Sequence, residues 1–346
     1  MSTVRSQERA AVGLPASVPL LSCSTLVMGL LVASQFCFAT HASAQALALT
    51  RTIELSSVHG RLDHMAIDLD GKRLYLAALA AGSVEVIDLH AGTRTARIDH
   101  LHEPQGVALL MQGNRLFVAD GVDASVSVFA DGKRVAAIEG LDDADNMRSD
   151  PATGQLYVGY ASALAVVNTQ TMRIVSRVQL AGHPEAFELA STGPQIYINV
   201  PSARHIAVVD RRTGKVIATW DLTDAAQNFA MALDEPRHRL FVATRRPAML
   251  LVYDTSIGSR VATLPICGDA DDIFFDSERR QLYAICGEGV VDVVQQQDAD
   301  HYRVMEHIPT SLGARTGLFV PRLATLFIAA PSHAGAPAEV RAYRTR

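Results

Sequence analysis

Residues 156–159 read Leu156-Tyr157-Val158-Gly159, and this pairing of a bulky aliphatic residue with a following aromatic one recurs through the chain. Successive pairs lie 40 to 44 residues apart. The seven pairs are Leu74-Tyr75, Leu116-Phe117, Leu156-Tyr157, Ile196-Tyr197, Leu240-Phe241, Leu282-Tyr283 and Leu326-Phe327. A period in the low forties, built from short β-branched and aromatic runs, is typical of a four-stranded propeller blade. The sequence therefore predicts an all-β fold, a seven-bladed β-propeller with four-stranded antiparallel blades.

Each repeat follows the same internal order. An apolar strand and a polar turn precede the Leu-aromatic strand, and a loop then leads to an alternating strand such as Ile206 to Asp210. A turn containing Gly or Asn, such as Thr213-Gly214-Lys215, leads to a fourth strand. Glycine suits these turns because it adopts positive φ without a Cβ clash.

The last repeat ends after its third strand, Glu339 to Tyr343, and a spare strand lies at the other end of the chain, Leu47 to Leu55. Pairing the spare strand with Val340 to Tyr343 would complete the last blade. It would also remove two open sheet edges, which otherwise invite aggregation. We therefore expect the last blade to be closed by the N-terminal strand.

These repeats resemble the YVTN-repeat propellers, the group that includes the YncE-like periplasmic proteins. The resemblance rests on segments such as Leu156 to Gly159 and Val208 to Val216 and covers nearly all of residues 45–346. It implies the propeller architecture and leaves function open, because such propellers include binding proteins and enzymes.

The N-terminal segment has the pattern of a secretory signal. Arg5 and Arg9 precede an apolar stretch from Val18 to Ala39, and Ala42-Ser43-Ala44 follows as a small-residue cleavage site. We predict a signal peptide over residues 1–44 and a propeller over 45–346, in the periplasm or secreted, with no membrane span after cleavage. A retained membrane anchor is the alternative, because the run approaches spanning length.

Charge and cysteine content restrict the partners and the compartment. The formal net charge is −5, so no nucleic-acid partner is expected. Cys267 and Cys286 lie in the same repeat, and an oxidising compartment would allow them to pair. Their spacing alone leaves a disulfide and two free thiols both open. We expect a monomer.

Aligning the repeats places a polar position at the start of every innermost strand. In a propeller these positions meet around one mouth of the central channel. The aligned pairs are Asp63-His64, Gln105-Gly106, Asp145-Asn146, Glu185-Ala186, Asn228-Phe229, Asp271-Asp272 and Arg315-Thr316. The loops between second and third strands open on the same face and add Asp120, Tyr160, Arg245, Arg246, Glu288 and His333.

Crowded carboxylates raise one another's pKa values unless a cation compensates, which makes this mouth a candidate site for Ca²⁺ or Mg²⁺. The predicted metal ligands are Asp145, Glu185 and Asp271, and the predicted ligand-binding residues are Gln105, Tyr160, Asn228, Arg245 and Arg246. The candidate catalytic residues are Asp63, His64, Asp272 and Arg315. The alternative is structural: the acids cap loop N–H groups and line a water-filled tunnel.

Two functions fit these residues. The first is a propeller that binds a small molecule or a partner protein at the mouth. The second is a metal-dependent hydrolase or lyase of the lactonase type, in which a bound ion activates water and a side chain moves a proton. The chain has no Gly-rich phosphate loop, Cys-x-x-Cys, His-Glu-x-x-His or Gly-x-Ser-x-Gly motif, so no motif selects an activity.

Overall fold

Every described element of the protein is a β-strand, a short 3₁₀ turn or a loop. The computed structural model describes residues 45–110 and 114–346. The predicted signal peptide, residues 1–44, lies outside the described residues. Within the described part, no helix has the length and apolar character needed to cross a bilayer.

The strands form seven four-stranded antiparallel sheets, which are the blades. The first strand is β1 (Leu47–Leu55). Blade 1 contains β2 (Met65–Asp68), β3 (Arg73–Ala78), β4 (Ser83–Asp88) and β5 (Thr93–Ile98). Blade 2 contains β6 (Pro104–Leu110), β7 (Arg115–Asp120), β8 (Ser125–Ala130) and β9 (Lys133–Glu139). Blade 3 contains β10 (Met147–Asp150), β11 (Gln155–Tyr160), β12 (Ala163–Asn168) and β13 (Arg173–Gln179).

The remaining blades follow the same order. Blade 4 contains β14 (Phe187–Leu189), β15 (Gln195–Val200), β16 (His205–Asp210) and β17 (Lys215–Asp221). Blade 5 contains β18 (Ala226–Asp234), β19 (Arg239–Arg246), β20 (Ala248–Asp254) and β21 (Ser259–Pro265). Blade 6 contains β22 (Ala270–Asp276), β23 (Gln281–Cys286), β24 (Val290–Gln296) and β25 (Tyr302–Pro309). Blade 7 contains β26 (Thr316–Val320), β27 (Thr325–Ala330) and β28 (Ala338–Thr345). Four 3₁₀ turns span Leu79–Ala81, Pro201–Ala203, Glu235–Arg237 and Pro321–Leu323.

The closing strand occupies the position predicted for it. Blade 7 has the strand order β1-β28-β27-β26, so the N-terminal strand supplies its outer edge. Ile53 faces Val340 and Leu49 faces Tyr343 in the antiparallel register. The predicted seven-bladed fold and its closure are therefore confirmed.

The Leu-aromatic pair explains why the repeat is readable in sequence. Side chains alternate along a strand, so the two residues of each pair point to opposite faces of the blade. Leu156 packs into the cluster between blades 2 and 3, whereas Tyr157 packs into the cluster between blades 3 and 4. The other six pairs divide in the same way among seven clusters, one at each junction. Each pair therefore joins a blade to both of its neighbours.

The structure shows one predicted turn and resolves the state of the two cysteines, which the sequence left open. Gly214 has φ of 66° in the turn before β17, the conformation expected there. Cys267 and Cys286 form a disulfide with a Cα–Cα distance of 5.8 Å. It joins the loop before β22 to the end of β23 within blade 6.

Candidate ligand-binding site at one mouth of the channel

All seven blades contribute to one small polar cavity, which we call the mouth cavity. Its volume is about 180 Å³. Its lining residues are Arg61, Gln105, Asp143, Asp145, His183, Glu185, Phe229, Arg245, Asp271 and Arg315. Eight of these ten side chains carry a formal or titratable charge, so the cavity is strongly polar.

The segment before each inner strand carries polar side chains to the mouth of the channel. The amide of Asp63 donates to the carbonyl of Ala77 at 2.8 Å, and that of Asp145 donates to Gly159 at 3.0 Å. These bonds prolong the pairing of inner and second strands beyond the strand ends. Asp143, in the turn before this segment with φ of 54°, and Asp145 line the same cavity.

His64 lies at the centre of the carboxylates. Its Nδ1 is 3.7 Å from Asp272 Oδ2, and its Nε2 is 3.6 Å from Asp63 Oδ1 and 3.9 Å from Asp145 Oδ1. The three acids belong to blades 1, 6 and 3. Burial alone would lower the pKa of His64, but Asp272 above all, with Asp63 and Asp145, raises it to about 10. His64 is therefore an imidazolium at neutral pH.

Two carboxyl groups of the site titrate near neutrality. Burial raises the pKa of Asp63 to about 7, although His64 and Arg61 oppose the shift. Burial and the negative charge of Asp145 raise the pKa of Glu185 to about 8. Within the described chain, Glu185 has no basic group within 4.0 Å of its carboxylate. Glu185 is therefore a weakly compensated acid in the cavity wall.

His183 compensates the neighbouring acid of blade 3. Its Nε2 is 3.9 Å from Asp145 Oδ2 and its Nδ1 is 3.3 Å from Asp143 Oδ2. Burial opposes the effect, but His183 and His64 lower the pKa of Asp145. Asp145 is thus ionised and held between two histidines.

Three guanidinium groups complete the wall. Arg245 lies over the ring of Phe229, with its Cζ 3.9 Å from the ring centroid, and its Nη2 donates to Asp271 Oδ1 at 2.6 Å. Arg315 lies 3.0 Å from Asp269 Oδ2 through Nη1. Arg61 lies 2.8 Å from Asp63 Oδ2 through Nη2. Each guanidinium has five N–H donors, so these ion pairs leave donors for a ligand.

A second cavity follows along the channel, beyond His64. Its volume is about 240 Å³, and we call it the inner cavity. It is lined by His64, Met65, Gly106, Val107, Met147, Arg148, Glu188, Asp272, Phe274, Gly317 and Leu318. His64 also approaches Asp145 of the mouth cavity, so the His64 cluster lies between the two cavities.

Most of the predicted site residues meet at the mouth, and three do not. Asn228 is fully buried, and its Nδ2 donates to Asn199 Oδ1 at 3.0 Å and to the His205 carbonyl at 3.1 Å. Tyr160 packs in the apolar cluster between blades 2 and 3. Arg246 is exposed and is absent from the cavity wall.

Three other loop residues noted in the sequence, Asp120, Glu288 and His333, also lie outside the wall of the mouth cavity. Asp120 is buried and accepts from the backbone amides of His102, Glu103 and Asp123. Glu288 and His333 are exposed. Asp120 therefore caps backbone N–H groups of a loop, as the structural alternative predicts for these acids. Within the part of the chain that the structure describes, Asp63 and Asp145 do not cap loop N–H groups.

The carboxylates predicted to bind metal all line the mouth cavity. They are not, however, arranged as a close ligand set. Among the described residues, the one group of three or more His, Cys, Asp or Glu whose ligand atoms all lie within 4.8 Å is His102, Asp120 and Asp123, outside this cavity. Asp271 is instead paired with Arg245, and Asp145 with two histidines. Binding of Ca²⁺ or Mg²⁺ stays a prediction.

The sequence reasoning missed Arg61, Asp143, His183 and Asp269 as site residues. Each lies two positions before an aligned polar residue: Asp63, Asp145, Glu185 and Asp271 respectively. Asp143 and Asp269 have φ of 54° and 63°, so they reach the site from turns and not from extended strand. Extending the alignment by two residues would have found all four.

Comparison with known proteins supports the fold. No protein-family model matches the chain, and no curated protein does. A solved structure of Kuenenia stuttgartiensis hydrazine synthase is similar, with a TM-score of 0.71, 16% identity, and coverage of 83% of this chain and 96% of that one. A chain in a mitotic checkpoint complex is also similar, with a TM-score of 0.73, 12% identity, and coverage of 93% and 99%. The fold therefore places this protein among the seven-bladed β-propellers.

Proposed function

We propose that this protein binds a small polar molecule in the mouth cavity. The observation that carries the proposal is the convergence of charged side chains from six blades, with Gln105 from the other, on one cavity of about 180 Å³. Charged groups are costly to bring together unless a partner compensates them, and such clusters concentrate at functional sites. A cavity below the usual range for drug-sized ligands suits a molecule of few atoms.

The distribution of charge supports a zwitterion. The acids of the cavity wall that lack an arginine partner, Asp143, Asp145 and Glu185, belong to blades 3 and 4. Arg315 belongs to blade 7, which lies across a seven-membered ring from blades 3 and 4. An ammonium group would bind beside Glu185 once this carboxyl is ionised, above its pKa of about 8, and a carboxylate would bind the free donors of Arg315.

Calorimetry at about pH 9, where Glu185 is ionised, with glycine, glycine betaine, acetate and methylammonium tests this proposal. We expect a zwitterion to bind more tightly than either half-ligand, and Glu185→Gln and Arg315→Gln each to weaken it about tenfold, the effect of one lost charged contact. Glu288→Gln, at an exposed position in the loop after β23, is the matched control. Equal affinity in all four proteins, or no binding by any probe, would overturn it.

We also propose that the protein is a secreted or periplasmic member of the YncE-like group. Support comes from the YVTN-like segments and from the signal-like pattern of residues 1–44. Cell fractionation of the full chain, with amino-terminal sequencing of the product, tests this. A mature protein that begins near Gln45 outside the cytoplasm is the expected result. Uncleaved chain in the cytoplasm would contradict it.

A metal-dependent hydrolase or lyase is the second candidate. It is favoured by the pKa values of Asp63 and Glu185, about 7 and about 8, which suit proton transfer near neutral pH. Thermal unfolding with EDTA and with added Ca²⁺ or Mg²⁺ separates the candidates. A site occupied well above its dissociation constant raises the free energy of unfolding by a few kcal/mol, whereas a metal-free binding protein does not respond.

A further inference from the structure

A groove between blade 7 and blade 1 lies beside the closing strand, and we call it the closure groove. Its volume is about 450 Å³. It is lined by Thr50, Arg51, Ile53, Leu69, Lys72, Leu89, His90, Leu323, Thr325, Phe327, Ala342 and Arg344. Four of these residues are basic and none is acidic, although the whole chain is net negative.

The basic side chains are open to solvent and form no close ion pair among the described residues, although the Asp88 carboxylate interacts electrostatically with His90 and Lys72. Arg51, Lys72, His90 and Arg344 are all exposed. Within residues 45–110 and 114–346, none of the four has a carboxylate within 4.0 Å. They come from β1, two turns of blade 1 and β28, so the folded ring brings the charges together.

One of these cations is held in place by the fold. Arg51 Nη1 donates to the carbonyl of Leu89 at 2.7 Å. Gly92 has φ of 70°, and a Cβ at this position would lie 2.9 Å from the same nitrogen. The hydrogen bond to Leu89 orients Arg51 before any ligand arrives, and the glycine leaves room beside the guanidinium.

The next groove around the ring provides an internal comparison. It lies between blades 1 and 2 and has a volume of about 370 Å³. Its cations are neutralised locally, because Arg73 lies 2.9 Å from Asp68 and Arg97 lies 2.7 Å from Asp99. The closure groove lies at the equivalent position between two blades, but its cations have no carboxylate within ion-pair distance among the described residues.

The floor of the closure groove is apolar. Ile53 and Phe327 are buried at its base, and Leu323 is 39% exposed at its side. We propose that this groove binds an amphipathic monocarboxylate, with its apolar chain over this floor and its head group on Arg51, Lys72 and Arg344. A volume of about 450 Å³ lies within the range of small-molecule sites.

Calorimetry of the purified protein with decanoate tests this proposal. We expect saturable binding of decanoate, and affinities at least about tenfold lower for acetate, which lacks the chain, and for decanol, which lacks the charge. Lys72→Glu with Arg344→Glu should weaken decanoate binding by at least about tenfold through like-charge repulsion. The matched control is Arg173→Glu with Lys215→Glu, two exposed cations on β13 and β17.

Two results would overturn the proposal. One is equal decanoate affinity in the two double variants, which would mean that the contact is non-specific. The other is a ligand-free dimer, detected by light scattering, that the Lys72→Glu and Arg344→Glu changes dissociate. A second copy of the chain, and not a carboxylate, would then occupy the groove.

Discussion

Glu185 makes the stability of the protein depend on pH. Its pKa is about 8 in the folded chain against an ordinary value of 4.5. Between these values the folded state keeps a proton that the unfolded state has lost, so stability falls as pH rises from 4.5 to 8. Glu185→Gln imitates the protonated form. We expect it to match wild type near pH 4 and to be more stable by up to roughly 5 kcal/mol above pH 8.

Urea denaturation across this pH range checks the expectation, with Glu288→Gln as the control. The difference between Glu185→Gln and wild type should grow only as pH rises. A constant difference would show that the carboxyl is not desolvated in the folded protein.

His64 acts as an internal counter-ion to three carboxylates. Replacing it with Ala would leave Asp63, Asp145 and Asp272 without that charge. We expect a loss of about 3 kcal/mol in the free energy of unfolding at pH 7, because removal of one partner leaves buried charges uncompensated. His301→Ala, at an exposed position on the chain, should change it little. A His64→Ala variant as stable as wild type would show that His64 does not act as a counter-ion to these carboxylates.

At the scale of single elements, the closing strand β1 carries a stability prediction. Deleting Gln45 to Leu55 would expose the edge of β28 and leave a three-stranded blade. We expect insoluble or poorly folded protein, and rescue by a substitute strand of matched alternation. The smaller change Ile53→Ala should cost about 3 kcal/mol, because Ile53 is 2% exposed, whereas Leu49→Ala, 54% exposed, should cost little. An equal loss in the free energy of unfolding for both variants would mean that packing of the closing strand does not stabilise the protein.

The strands and their order were easier to predict from the sequence than the positions of some side chains at the site. The Leu-aromatic pair is legible because each member packs at a different blade junction, a constraint that all seven repeats share. Asn228 departs from the pattern because its amide hydrogen-bonds Asn199 and the His205 carbonyl of blade 4 and is buried there. These partners come from the neighbouring repeat, so alignment of the repeats does not reveal them. Arg61 and His183 were missed because they lie two residues before the aligned positions.

At the scale of the whole molecule, the mouth couples blades that are distant in the ring. Asp145 of blade 3 and Asp272 of blade 6 do not share a sheet, yet both lie within 3.9 Å of His64 from blade 1. Groups that share a partner give non-additive losses when both are removed, whereas independent groups give losses that sum. The structural alternative, in which each acid serves its own loop, therefore makes a different prediction from a common charged centre.

A double-mutant cycle of Asp145→Asn and Asp272→Asn decides between them. We expect a coupling energy of about 1 kcal/mol or more in urea denaturation at pH 7. Both acids interact with His64, so the change in free energy of unfolding on removing one acid depends on whether the other is present. Asp145→Asn combined with Asp224→Asn is the control, since Asp224 pairs with Arg260 at the surface. That control cycle should be additive within about 0.5 kcal/mol. Additivity in both cycles would mean that Asp145 and Asp272 contribute independently to the free energy of unfolding. The mouth would then have no shared charged centre to bind a ligand.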